Sequence, residues 1–199
     1  MKKKLKEIKN SRIVKVLFAR KSVVFCLIVL AVLILAAIFA PLITVYDPYK
    51  QDLTSMLQGV SLTHPLGTDS MGRDLLTRII YGGRISFVVG LVSVLIAGGI
   101  GMVLGLIAGM AGGIIDAVIM RIMDAMMSVP MIIMALFLGS IFGKGLGNIC
   151  LAIGISMIPS YARVTRGQVL TVREMDYITA GTLCGASKFV NTLKHILPN

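Results

Sequence analysis

The chain has 199 residues, 56% of them hydrophobic and only 15% charged, with a mean hydropathy of +0.90; this excludes a soluble domain and makes lipid the expected solvent. The net charge of +11 would suit a nucleic-acid binder, but the surplus lies at the two ends, with nine Lys/Arg against Glu7 in residues 1–21 and five against Glu174 and Asp176 in residues 163–199. Residues 22–162 hold six bases and six acids, which argues against a phosphate-binding surface.

Residues 1–21 form a basic segment, and because cytoplasmic loops retain Lys and Arg, the N-terminus is expected inside the cell. A span needs about 20 apolar residues at about 1.5 Å rise each. The first such stretch is 23–45, giving a transmembrane region over 22–45. It is longer than the apolar part of a secretory leader and offers only a weak cleavage site at Ala36, Ala37 and Ala40, so it reads as a retained helix.

Region 46–84 is expected outside. Residues 46–64, with Asp47, Pro48 and Asp52, read as a loop or small cap. Residues 72–84 place Leu75, Leu76, Ile79 and Ile80 on one face, which predicts an amphipathic helix lying in the interface. Asp74 and Arg78 are i,i+4 neighbours, a pairing worth only about 0.2–0.5 kcal/mol.

Region 85–162 supplies three further apolar stretches, 85–110, 117–142 and 146–162. The fold class expected is an all-α polytopic helix bundle with four spans. Four crossings return the C-terminus inside, in agreement with the second basic cluster. Ser93, Ala97, Gly101, Gly105, Gly109 and Gly113 recur at four-residue spacing, a strip of small side chains over which another helix backbone can approach closely. Packing within one subunit is the simpler expectation, and a sliding interface the sharper one. Asp116, Arg121 and Asp124 are placed at the mouth of a hairpin, since a charge at mid-bilayer costs about 2.5–3.5 kcal/mol. Arg121 and Asp124 are spaced to pair at i,i+3, and Pro130 is expected to kink the third span.

Catalytic chemistry is not legible. The run from Gly139 to Lys144 and Gly145 has three residues between its glycines, and Gly follows the Lys, so it is no phosphate loop. His64 and His195 are expected on opposite sides of the membrane, and Cys26, Cys150 and Cys184 lack metal-ligand spacing. No metal or cofactor is expected on the chain, and energy must come from a partner or an ion gradient.

Residues 163–199 read as a cytoplasmic segment: a helix over about 171–184, a turn at Gly185, a second short helix, and Pro198 before a return to the membrane. This segment resembles the signature loop of ABC importer permeases, E-A-A-x-x-x-G followed by I-x-L-P. Thr179, Ala180 and Gly181 stand at the leading positions, Gly185 at the glycine, His195 at the isoleucine, and Leu197 and Pro198 at the end. Thr179 replaces the acid, Gly181 an alanine, and His195 the isoleucine, with Ile196 beside it. The HILPN ending is similar to the peptide-transporting branch. HPLGTDSMGRDLLTRIIYGGRIS, carrying Gly67, Thr68, Asp69, Gly72, Arg73, Asp74, Arg78 and Arg84, resembles the stretch before the second span in C-type dipeptide and oligopeptide permeases, with Thr77 where serine is usual. MRIMDAMMSVP and YARVTRGQVLTVRE are similar to later stretches of the same subunits.

The resemblance implies a multi-pass permease subunit of a bacterial cytoplasmic membrane, working with a sister permease, ABC ATPase subunits that bind the ATP, and an extracellular or periplasmic solute-binding protein. It implies no nucleic acid. Such permeases have about six spans, two after the signature loop, so a C-terminally truncated chain is expected. A nickel or other metal-chelate permease of the same branch, an ion-gradient transporter and a non-transporting scaffold are the competing readings.

Overall fold

The computed structural model describes residues 20–185. Among them regular structure is helical, apart from one isolated antiparallel bridge between Thr68 and Asp74, so the fold is an all-α membrane helix bundle. The chain divides after Val88 into two compact units.

In the first unit, α1 spans Lys21–Ile38 and only its Ala37 is buried, as suits a helix surrounded by lipid or by other membrane helices. The expected unbroken run to residue 45 is interrupted: the chain turns at Phe39, and α2, Ala40–Ile43, begins with Pro41 in its first turn. Proline is favoured there because its missing N–H would have had no intrahelical partner. The segment that follows is a hydrogen-bonded cap. Asp52 caps a short 3-10 turn, Leu53–Ser55, by accepting from the Thr54 amide at 3.0 Å. Backbone bonds from Asp52 to Met71, from Leu57 to Asp69 and from Thr68 to Gln58 close the loop on itself.

Helix α3, Leu75–Ala111, begins in the first unit and ends in the second. The separate interfacial helix expected over 72–84 does not form. From Leu75 on, its residues are the opening turns of one 37-residue helix, about 55 Å long at 1.5 Å per residue. Gly82 and Gly83 lie inside it without breaking it, since an interior glycine costs a helix only about 1 kcal/mol relative to alanine.

The second unit continues with α4 (Gly113–Met127), α5 (Met131–Phe142), α6 (Leu146–Arg173) and α7 (Asp176–Leu183). The third apolar stretch is broken rather than kinked, with α4 and α5 meeting at 89° across Ser128, Val129 and Pro130. Pro130 carries no N–H and sits just before α5, where it starts a new helix instead of bending an old one. By length and composition α1 and α3 can each cross a membrane, and the α4–α5 pair makes a third span if it counts as one. The expected fourth span falls short of that measure: Asn148, Pro159, Tyr161 and Arg163 dilute α6, which also runs well past residue 162 to Arg173.

Helix α6 is the centre of the second unit. Met123, Ile158 and Ala162 form one buried cluster with Leu104, Ile119, Met120, Met126 and Ile155 around it. Val169, Val172 and Ile178 form a second, covered by Leu106 and Met110.

Candidate functional site

The motif ahead of the second span is organised by two aspartates. Asp69 Oδ1 accepts the amides of Met71 at 2.8 Å and Arg73 at 3.0 Å, while Oδ2 accepts Arg73 Nε at 2.8 Å and pairs with Arg78 Nη1 at 3.1 Å. Burial raises the pKa of this carboxyl, but the hydrogen bonds from Arg73 and Met71 and the Arg73 charge outweigh it and hold it at about 2. Asp74 is almost wholly buried and stands just before α3, where its Oδ2 accepts the Thr77 amide at 2.8 Å, an N-cap on the third helical residue. Its Oδ1 lies 2.9 Å from His64 Nδ1, and the Tyr46 ring lies over His64 with centroids 4.8 Å apart. Burial raises the Asp74 pKa, yet the Thr77 and His64 hydrogen bonds bring it below the ordinary value. The i,i+4 pairing of Asp74 with Arg78 does not occur, because the cap brings His64 to one aspartate and Arg78 to the other.

Of the remaining motif residues, Gly67, Thr68 and Gly72 lie in the same loop and Arg84 lies within α3. Gly67 and Gly72 have φ of +75° and +73°, and a Cβ on either would overlap backbone, of Gln58 and of Asp52 respectively. Buried Thr68 donates its hydroxyl to the Ser55 carbonyl and accepts the Gln58 amide at 2.8 Å. Arg84 lies 5.8 Å from the centroid of the Tyr81 ring. His64, not singled out from sequence as a partner of this motif, supplies the second contact of Asp74; its position ten residues upstream gave no periodic signal.

In the second unit the small-residue strip of α3 faces α6. Ser93 donates to the Cys150 carbonyl at 3.1 Å, and Ala97 is fully buried. A Cβ on Gly101 would lie 2.6 Å from Tyr161 Cβ and 2.9 Å from the Ile158 carbonyl. One on Gly105 would strike the Ala162 carbonyl, and one on Gly109 would lie 2.6 Å from Val169 Cγ1. Gly154 answers from α6, where a Cβ would meet Ile96 Cβ at 2.9 Å. Gly113 is not part of the strip. With φ of +54° and open space about it, it follows Gly112 (φ +63°) in the turn that starts α4.

Charge joins α4 to α6. Arg166 grips both carboxylate oxygens of Asp116 through Nε and Nη2, Arg163 Nη2 meets Asp124 at 2.6 Å, and Arg173 Nη1 donates to the Gly109 carbonyl at 3.1 Å. The expected Arg121–Asp124 pair is absent, since Asp124 faces Arg163 instead. Helix formation over 171–184 is interrupted at Glu174 and Met175, so α6 ends and α7 begins within three residues. Thr179, Ala180 and Gly181 lie on α7, and Gly185, with φ of +87° and no described residue against the place of its missing Cβ, follows in the turn. Ile178 anchors α7 on Val169 and Val172. His195, Leu197, Pro198 and the second short helix lie outside the described residues. Among the described residues no group of three or more His, Cys, Asp or Glu side chains is placed to hold a metal ion.

Known proteins share these stretches. The family model for binding-protein-dependent transport system inner membrane components matches residues 101–199, and the one for the N-terminal TM domain of oligopeptide transport permease C matches residues 11–61. The probable D,D-dipeptide transport system permease protein of Escherichia coli is 40% identical over 172 residues, 86% of this chain and 58% of that protein. The di/tripeptide transport system permease protein of Pseudomonas aeruginosa is 40% identical over 179 residues, 87% and 59%. The dipeptide transport system permease protein of Escherichia coli is 40% identical over 185 residues, 90% and 62%. The chain spans about six tenths of the length of these curated relatives. Two family models on separate stretches and these relatives agree: the chain belongs to the binding-protein-dependent transport permeases, in their dipeptide and oligopeptide branch.

Proposed function

We propose that the chain is the membrane subunit of an ATP-driven importer that carries di- and oligopeptides across a bacterial cytoplasmic membrane. Its N-terminus and residues 163–199 face the cytoplasm, where separate ATPase subunits bind and hydrolyse the ATP. A sister permease completes the pathway, and a solute-binding protein delivers peptide from outside. The chain itself contributes the path and the coupling segment and no nucleotide site.

The observation that carries this reading is the close succession of α6 and α7, separated only by Glu174 and Met175 and joined by the packing of Ile178 on Val169 and Val172; α7 bears Thr179, Ala180 and Gly181 and is followed by the left-handed turn at Gly185. A short helix fixed to the end of a long one moves as a rigid body with it, so a partner that grips α7 can displace the spans. Among the described residues exposed Gly185 has no neighbour for a side chain to strike, and a substitution there bears on its backbone, where a Cβ costs about 1–2 kcal/mol in the left-handed region.

Gly185→Leu in the full-length permease, assembled with its ATPases in proteoliposomes and supplied with peptide-loaded binding protein, is expected to sever uptake from ATP hydrolysis while the subunit still inserts. Unchanged peptide uptake would count against the coupling role.

A further inference from the structure

The bidentate pair between α4 and α6 stands between the coupling segment and the broken helix. Asp116 lies in the first turn of α4, and Arg166 lies on the part of α6 that extends beyond the sequence-expected span. Two parallel hydrogen bonds from one planar guanidinium fix orientation as well as distance, which a single-point contact does not. The side chains of Asp116 and Arg166 are 15% and 32% exposed, against 52% and 51% for the neighbouring Asp124–Arg163 pair, so solvent screens the first much less.

Apart from the more exposed Arg163–Asp124 pair, the α4–α6 seam is apolar and can yield. The α4 side of the apolar contact is Ile119, Met120, Met123 and Met126, and methionine adapts its shape at little cost. A sliding contact of that kind would absorb a small displacement of α6, whereas the ionic fork would pass it on. The near end of the same stretch carries α7 through Val169, Val172 and Ile178, and α4 is one arm of the 89° corner.

We propose that Asp116 and Arg166 are positioning residues for transport: their pair transmits displacement of α7 and the end of α6 to the α4–α5 corner. The proposal rests on the permease role above. It is tested in the complete complex of full-length permeases, ATPases and binding protein in proteoliposomes, by the ATP hydrolysed per peptide imported. A wild-type complex without ATP-dependent peptide uptake would refute the permease role itself and is distinguishable from every variant result.

Asp116→Asn is expected to cut import about tenfold while hydrolysis changes less than about twofold, a split that a general loss of folded protein does not produce. The exchange D116R/R166D is expected to restore the ratio to within about twofold of wild type, and Asp124→Asn to leave it unchanged. A wild-type ratio in Asp116→Asn, or an assembled exchange variant that remains uncoupled, overturns the proposal. Should Asp116→Asn fail to assemble, Arg166→Lys, which keeps the charge and loses the fork, decides: a raised ratio supports the joint and a wild-type ratio overturns it.

Discussion

Replacing Gly101 with alanine adds one methyl group where α6 leaves no room. Its Cβ would sit 2.6 Å from Tyr161 Cβ, 2.9 Å from the Ile158 carbonyl and 3.0 Å from the Ala162 amide. Carbon atoms pack at about 3.5–4.0 Å, so the two helices must separate by about 1 Å at this point. Two of the three obstacles are backbone and cannot rotate away. Overpacking of this kind costs about 1–3 kcal/mol, but alanine also favours helix over glycine by about 1 kcal/mol, and the two effects oppose each other. Gly99 separates them: it lies two residues away on the same helix with nothing within 4 Å, so Gly99→Ala gains the propensity alone. The difference between the two variants is therefore the packing cost, and at about 2–4 °C per kcal/mol for a chain of this size Gly101→Ala should melt roughly 2–12 °C below Gly99→Ala. Cys150 is buried while Cys26 and Cys184 are exposed, so with the latter two replaced by serine, thermal unfolding of the full-length permease in detergent can be followed with a thiol-reactive dye. Coincident melting curves for the two variants would refute the seam.

Asp74→Ala removes the α3 N-cap and the acceptor of His64 and is expected to cost about 0.5–2 kcal/mol, with Asp74→Asn costing less because an amide oxygen can still accept from Thr77; equal melting temperatures for wild type and Asp74→Ala would contradict the cap. Asp69, beside Asp52 and Asp74 whose carboxyls are also held below the ordinary value, contributes to the pH dependence of the same loop. Its folded pKa of about 2 lies below the ordinary value near 3.9, so its contribution is complete above pH 4 and is lost as pH falls towards 2. Hydrogen exchange at the Leu57 and Gly72 amides, both bonded to the Asp69 carbonyl, should lose protection over that interval beyond the intrinsic pH trend, and Asp69→Asn should remove the difference; identical profiles would contradict it.

Hydropathy made the membrane class legible, and the four-residue recurrence from Ser93 to Gly109 marked the face of α3 that α6 covers. Short-range spacing misled where charge was concerned. Asp74 with Arg78 and Asp124 with Arg121 satisfy helical spacing, but a pair of that kind contributes only a few tenths of a kcal/mol, and the fold brings stronger geometry from farther away. His64, Arg163 and Arg166 lie 10, 39 and 50 residues from the aspartates they meet, a separation no periodicity records. Helix ends were misjudged for a related reason: hydropathy falls after Ala162, whereas the backbone ladder of α6 continues until Glu174 because Val169 and Val172 still have a surface to bury. Gly113 continues the arithmetic of the strip, although its left-handed φ belongs to a turn.

The right-angled corner between α4 and α5 imposes a demand on whatever surrounds it. Where one helix stops and another starts, carbonyls at the first end and amides at the second lose their ladder partners, and hydrocarbon offers no replacement. At the corner the Ser128 amide returns to the Asp124 carbonyl, the Ser128 hydroxyl to that of Ala125, and the Met134 amide to that of Pro130. Fatty-acyl chains are thus the one environment this elbow cannot tolerate: it has to rest against protein or stay wet.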